Sequence, residues 1–259
     1  MSAQGSVVEL DEDAPPERGA AAYLAEFVGT FALVFFITAA VSVYVVAEGE
    51  FVDYSVIGLV HVFVLFMLIQ TLAVVSGAHF NPAVTVALTA LRQIQPLDAA
   101  IYVVSQLAGG IAAALVTKAL FTEFPNAEAV NYGAPATTDV IGERIGLGML
   151  AEGIGTFFLV WVIVGVAVNP RAAKEWAALA IGATLGLGVF VMAPLTGASF
   201  NPARAFGPAL VSGEFGGAKD FVLVYTLAPA IGGLLAAIIY FNIFIAPGRK
   251  EPGAFGPVG

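Results

Sequence analysis

Cysteine is missing from all 259 residues, which removes disulfides, thiolate metal sites and cysteine nucleophiles together. Charge is scarce: 11% of the residues are charged, against roughly 25% in soluble domains. Histidine occurs only as His61 and His79. Neither has an evident serine and acid partner, and there is no H-E-x-x-H helix, so an intramembrane hydrolase is not suggested. A basic start is also missing: the first nineteen residues are acidic and carry only Arg18. A cleavable signal needs a basic start and a short apolar core, so the long stretch from Ala20 to Ala47 reads as an uncleaved span.

What is abundant is apolar surface, at 59% of residues. The few charges are clustered, leaving charge-free runs at Phe27 to Ala47, Tyr54 to Leu91, Ala99 to Thr117, Gly153 to Pro170, Trp176 to Ala203 and Phe221 to Gly248. These predict six membrane segments. An even number of spans places both termini on one side. The charged segments of that side hold Arg18, Arg92, Arg171, Lys174, Arg249 and Lys250, six of the ten basic residues. By the positive-inside rule it is cytoplasmic, and the expected location is the plasma membrane. The opposite face holds Glu48, Glu50, Asp53, Glu123, Glu128, Asp139, Glu143, Glu214 and Asp220, much of the net charge of -9. An acidic chain of this kind excludes nucleic acid as an expected partner.

Two of the runs are too long for single helices. Tyr54 to Leu91 is 38 residues (91 − 54 + 1). As one helix it would reach about 57 Å, nearly twice a hydrocarbon core of about 30 Å. The chain is expected to turn back inside the membrane, with Ser76-Gly77 ending one helix and Asn81-Pro82 opening a short one to about Leu91. In the later run Pro194 and Thr196-Gly197 end a span, and Asn201-Pro202 opens a short helix to about Val211. Lipid cannot satisfy irregular backbone, so two such half-helices point to a pore or a binding site.

The two long runs are copies of one pattern. Ala25-Glu26-Phe27-Val28-Gly29-Thr30-Phe31 recurs as Ala151-Glu152-Gly153-Ile154-Gly155-Thr156-Phe157, and Gly77-Ala78-His79-Phe80-Asn81-Pro82-Ala83 recurs as Gly197-Ala198-Ser199-Phe200-Asn201-Pro202-Ala203. Gly109-Gly110 recurs as Gly232-Gly233, and the three offsets are 126, 120 and 123 residues (152 − 26, 201 − 81, 232 − 109). Each half has three spans and one half-helix, and three is odd. The halves are therefore expected in opposite orientations about a pseudo-two-fold axis in the membrane plane. The predicted organisation is an acidic cytoplasmic tail over 1–19, a first repeat over 20–121, an outer linker over 122–144, an inverted second repeat over 145–245 and a cytoplasmic tail over 246–259. The fold class is all-α: six transmembrane helices and two re-entrant half-helices in two inverted repeats.

With both Asn-Pro-Ala copies in place, the second followed by Arg204, the chain resembles the aquaporin family, also called major intrinsic proteins, from about Ala20 to Ile245. The resemblance implies a passive channel for water and other small neutral solutes, without cofactor, catalytic residue or metal site. It also implies a homotetramer in the lipid bilayer.

The chemistry of the repeated residues agrees. Asparagine before a proline-started helix is an N-cap whose side-chain oxygen accepts from the first turn. The amide NH2 groups of Asn81 and Asn201 can then meet near the midplane and donate to one passing oxygen, interrupting a proton-hopping file. The positive ends of the half-helices beginning Pro82-Ala83 and Pro202-Ala203 oppose cations. Arg204 lies in a charge-free environment, where a charge needs a cavity or partners, and the resemblance makes it a filter residue. Glu26 and Glu152, the carboxylates of the Glu-x-x-Gly-Thr-Phe copies, are expected to brace the re-entrant loops.

Carried over from the family, the narrow filter falls on His61, Val189, Ala198 and Arg204. Water channels usually pair an aromatic from the second span with a histidine from the fifth; histidine and valine stand there instead. The combination of histidine, aliphatic, small residue and arginine is similar to plant tonoplast intrinsic proteins, which implies water first and ammonia or similar solutes with it. Glycerol ranks lower, because Ala205 and Tyr225 stand where glycerol channels carry aspartate and proline. A glycerol-type facilitator and an ion-coupled transporter with inverted repeats are the alternatives. His79 is read as structural.

Overall fold

The structure is a computed structural model and describes residues 17–45, 54–124, 126–142 and 144–249. Most of both tails, with Lys250, and the acidic residues Glu48, Glu50, Asp53 and Glu143 lie outside the described residues. Six helices are long and apolar enough to cross a membrane: Ala20–Tyr44 (α1), Tyr54–Ser76 (α2), Pro96–Phe121 (α4), Ile145–Val168 (α5), Ala177–Thr196 (α6) and Ala218–Ile245 (α8). Two short helices, Pro82–Ala90 (α3) and Pro202–Ser212 (α7), complete the set. At about 1.5 Å per residue neither could cross a bilayer. No strand occurs among the described residues.

The ends of these helices follow from local chemistry. Proline at the first position starts α3, α4 and α7, where its missing N–H costs nothing. Gly197 and Gly213, at φ 72° and 84°, close α6 and α7 in the left-handed conformation. Two polar residues tie the start of α1 to that of α4: Asp98 accepts from the backbone N–H of Arg18 at 3.0 Å and from the Tyr23 hydroxyl at 2.6 Å.

The pairing of helices repeats in the two halves. α1 packs on α4, and α5 packs on α8; α2 and α6 cross between the halves. Gly109 and Gly232 permit the first two contacts, since a methyl on Gly109 would collide with the Phe27 carbonyl and one on Gly232 with that of Gly153. Close backbone approach through small residues is the way helices associate where lipid offers no hydrophobic drive.

The bundle encloses its polar groups within a largely apolar interior and is apolar outside. Glu26, Glu152, Thr30, Thr156, Gln106, His61 and Arg204 are buried, whereas Phe63, Val74, Leu97, Phe158, Leu187 and Val191 are exposed. In water this arrangement would be an aggregation hazard; in lipid it is the stable one.

Three details differ from the sequence reading. Pro194 does not end α6 but sits within its last turn, with the helix continuing to Thr196. The sixth long helix is followed directly by a helical turn, Ala246–Arg249, inside the stretch set aside as a tail. Residues 164–168, 222–227 and 241–245 are wound as π-helix, which hydrophobic pattern does not reveal.

Candidate functional site

The re-entrant loops are built alike. Gly77, Ala78 and Phe80 have φ of 86°, 55° and 50°; Gly197, Ala198 and Phe200 have 72°, 46° and 51°. A non-glycine residue in this region costs roughly 1–3 kcal/mol, so four such residues must be held by their surroundings. The carboxylates do so. Glu26 accepts from Ser76 Oγ (2.7 Å), His79 N (3.0 Å), Phe80 N (2.6 Å) and Gln106 Nε2 (2.8 Å). Glu152 accepts from Thr196 Oγ1 (2.7 Å), Ser199 N (2.9 Å) and Phe200 N (2.7 Å). The glycine three residues after each glutamate leaves room for the loop's phenylalanine: a methyl on Gly29 or Gly155 would strike the ring of Phe80 or Phe200.

Held in this way, the two asparagines interlock. Asn81 Oδ1 accepts from Ala83 N at 2.9 Å, and Asn201 Oδ1 from Ala203 N at 3.0 Å and Arg204 N at 3.3 Å. With the oxygens committed to the helix starts, each Nδ2 reaches across the pseudo-symmetry: Asn81 donates to the Phe200 carbonyl at 2.8 Å and Asn201 to the Phe80 carbonyl at 2.9 Å. An amide NH2 has two hydrogens. One is used in the cross-link, and the other remains for a molecule beside it.

A cavity of about 460 Å³ runs alongside this junction. Asn81, Asn201 and Arg204 line it, with His79 and, towards the end formed by α2 and the α5–α6 connection, Gln70 and Lys174. His61, Val189 and Ala198 are not among its lining residues. They are buried beyond it, where Val189 and Ala198 share one apolar cluster with Phe80 and Phe200. His61 lies within electrostatic reach of Arg204. Its Nδ1 is 2.7 Å from the Ile57 carbonyl; a carbonyl can only accept, so Nδ1 carries the proton and Nε2 keeps a lone pair. That buried Nε2 has no protein partner.

Arg204 is 3% exposed. Its Nη1 donates to the Gly133 carbonyl at 2.8 Å, while its buried Nε has no protein partner. Gly133 belongs to the linker, which is more than a connection. Thr138 donates from its N to Leu195 O at 3.0 Å and from its Oγ1 to Pro194 O at 2.6 Å, folding the linker over the end of α6. Sequence reasoning missed Gly133, because a backbone carbonyl has no residue signature. It also missed Gln106 and Thr85, which join Glu26 to His79: Gln106 Nε2 reaches Thr85 Oγ1 at 3.0 Å, and His79 Nδ1 lies 3.1 Å from the same oxygen. His79 is therefore anchored by its Nδ1 and lines the cavity.

Comparison with known proteins places this geometry. The sequence matches the Major intrinsic protein (MIP) family over residues 17–240. It is 39% identical to nodulin-26 of Glycine max over 219 residues, covering 84% of this chain and 75% of that one. Identity is also 39% to glycerol uptake facilitator protein-like 6 of Lactiplantibacillus plantarum, over 83% of this chain and 94% of that protein. With aquaporin AqpM of Methanothermobacter thermautotrophicus it is 34%, over 84% and 94%. Among solved structures, the aquaglyceroporin of Plasmodium falciparum superposes with a TM-score of 0.76 at 21% identity, covering 89% of this chain and 99% of that one, a likeness of fold. The chain belongs to the major intrinsic protein family, the aquaporins and their relatives, and is an integral, multi-pass membrane channel rather than an enzyme.

Proposed function

We propose that the channel conducts water, with ammonia or similar small neutral solutes, and excludes ions and protons. The observation that carries this reading is the reciprocal pair Asn81 to Phe200 O and Asn201 to Phe80 O. It leaves one hydrogen on each asparagine beside the same cavity. A permeating oxygen accepting both has its own hydrogens turned outward, so the file cannot hold a single donor direction. The starts of α3 and α7 meet at the same place and add their positive ends.

In this reading His61, Val189, Ala198 and Arg204 form the selective constriction. Arg204, steadied by Gly133, offers donors and repels cations, while His61 Nε2 offers an acceptor. Water and ammonia both donate and accept, so both suit such a pair. Val189 and Ala198 leave an apolar wall with more room than two aromatic side chains would. Both termini are taken as cytoplasmic in the plasma membrane, and four copies, each with its own pore, as the assembly in the bilayer.

A glycerol facilitator is the second reading. The 39% identical relative named for glycerol uptake favours it, and so does the small, apolar Val189 and Ala198 pair. The likeness of the four filter positions to tonoplast proteins rests on those positions alone, since the plant relative reported above is a nodulin.

Stopped-flow permeability of the reconstituted protein to water, ammonia and glycerol separates these readings. Water and ammonia should pass readily, with glycerol at least about tenfold slower, a barrier difference of about 1.4 kcal/mol. Replacing His61 by phenylalanine should narrow the range towards water. Unchanged solute ratios in His61→Phe would remove His61 from the filter.

A further inference from the structure

The last residue before each re-entrant loop is Ser76 in α2 and Thr196 in α6. Carbonyls at a helix C-terminus have no partner within the helix, and inside a membrane an orphan is costly. Both are capped from elsewhere in the bundle by a tyrosine. Tyr102 donates its hydroxyl to Ser76 O at 2.7 Å, and Tyr225 donates to Thr196 O at 2.8 Å. The tyrosines stand 123 residues apart (225 − 102), the offset of the Gly109 and Gly232 copies. Both are buried.

Each loop is consequently gripped at two points. The glutamate takes the amides of residues 79 and 80, or 199 and 200, and the hydroxyl of residue 76, or 196; the tyrosine alone takes the backbone carbonyl of residue 76, or 196. Between the two grips lie Gly77-Ala78 and Gly197-Ala198, all with positive φ. With residue 76 or 196 held only through its side chain, the strained segment could still shift along the pore axis. Fixed at both ends, it has a defined height.

What each loop carries beyond its tyrosine differs. Two residues past Thr196 is Ala198, with Arg204 at the start of the following helix. Three past Ser76 is His79, whose ring meets Tyr102 edge to face with centroids 5.2 Å apart and which lines the cavity. The supports differ too: Tyr102 stands on the regular helix α4, Tyr225 on the π-helical turn Val222–Leu227 of α8.

We infer that Tyr102 and Tyr225 are a pair of positioning residues that set the height of the two re-entrant loops, Tyr225 governing solute selectivity and Tyr102 governing conductance. The division of labour rests on the filter reading of Ala198 and Arg204; the clamp itself does not.

The test uses the full chain in proteoliposomes as Tyr225→Phe, Tyr102→Phe and, as a control on the filter, Arg204→Val. One neutral hydrogen bond is worth about fivefold in an equilibrium, which sets the scale. Tyr225→Phe should raise the ratio of glycerol to water permeability by about threefold to fivefold. Tyr102→Phe should lower water permeability by a similar factor and leave that ratio alone. Hydrogen exchange should quicken over residues 197–200 in the first variant and 77–80 in the second, each without change in the other loop. Equal effects in the two variants, or permeability and exchange unchanged in both, would overturn the inference. Loss of the native size-exclusion profile would assign the hydroxyls to overall stability and overturn it as well. If Arg204→Val leaves the glycerol to water ratio unchanged, the filter reading fails, and the exchange measurements alone judge the clamp.

Discussion

The two re-entrant loops share a backbone and differ in their polar surroundings. Around the first, Glu26 has four donors, Gln106 and Thr85 carry the network on to His79, and the position matching Arg204 is Val84 (204 − 120). Around the second, Glu152 has three donors, Ala205 and Ser199 replace Thr85 and His79, and Arg204 is tied to the linker through Gly133. The common part holds strained backbone in place, and the part that differs ends on two residues that line the cavity, His79 and Arg204. On the filter reading proposed above, symmetry belongs to the scaffold and its breaking to selection.

The shared part should be the more fragile. Glu152→Ala would take the carboxylate from three buried donors, and Glu26→Ala from four, with only Thr196 Oγ1 and Gln106 Nε2 keeping a second acceptor. At about 1–3 kcal/mol per orphaned group, either change takes up much of the roughly 5–15 kcal/mol stability of a typical domain. Both variants should be recovered in small yield, with melting in detergent lowered by more than about 10 °C, as a loss of several kcal/mol implies. A large loss from one and none from the other would show that the loops are not held by the same means.

Arg204→Val gives the second half the residue the first half already has. It should keep the fold, because the one side-chain hydrogen bond lost is to Gly133, the Nε removed has no protein partner, and Glu152, which loses a nearby positive charge, keeps its three donors. Glycerol permeability should rise by about tenfold, a barrier change of about 1.4 kcal/mol, measured by light scattering after an osmotic jump. Retained selectivity would mean that the difference between the halves lies elsewhere, with His61 the next residue to replace.

Much of this comparison was legible in the sequence because it is written twice. The charge-free runs located six spans, and the excess length of the Tyr54 to Leu91 run, with its breakers repeated at Thr196-Gly197 and Asn201-Pro202, called for two re-entrant segments. The paired motifs marked Asn81, Asn201, Glu26 and Glu152. What stayed hidden were partners with no copy or no side chain: Gln106 has Pro229 at its repeat position (106 + 123), and Gly133 acts through its carbonyl. The cross-link from each asparagine to the opposite phenylalanine carbonyl was hidden too, since it joins residues 119 and 121 apart and depends on the two halves meeting. Tyr225 was noticed only as a departure from a pattern, and its bond to Thr196 needed coordinates.

The smallest expected effect tests whether the extra polar residue of the first half is redundant. Gln106→Leu removes one donor from Glu26 and leaves Ser76, His79 N and Phe80 N, a set that matches the three donors of Glu152. Leucine fills a similar volume, and the Gln106 carbonyl oxygen it deletes has no protein partner, so the change removes an unmet need along with two bonds, to Glu26 and to Thr85 Oγ1. Stability should fall by only about 1 kcal/mol, visible as a modest shift in melting, and water permeability should stay within about twofold. His79 keeps Thr85 as its anchor, and Thr85 still donates to the Asn81 carbonyl at 3.1 Å, so the cavity wall should hold its shape. A collapse of water permeability in Gln106→Leu, with Glu152 managing on three donors, would show that four are needed where a histidine lines the pore.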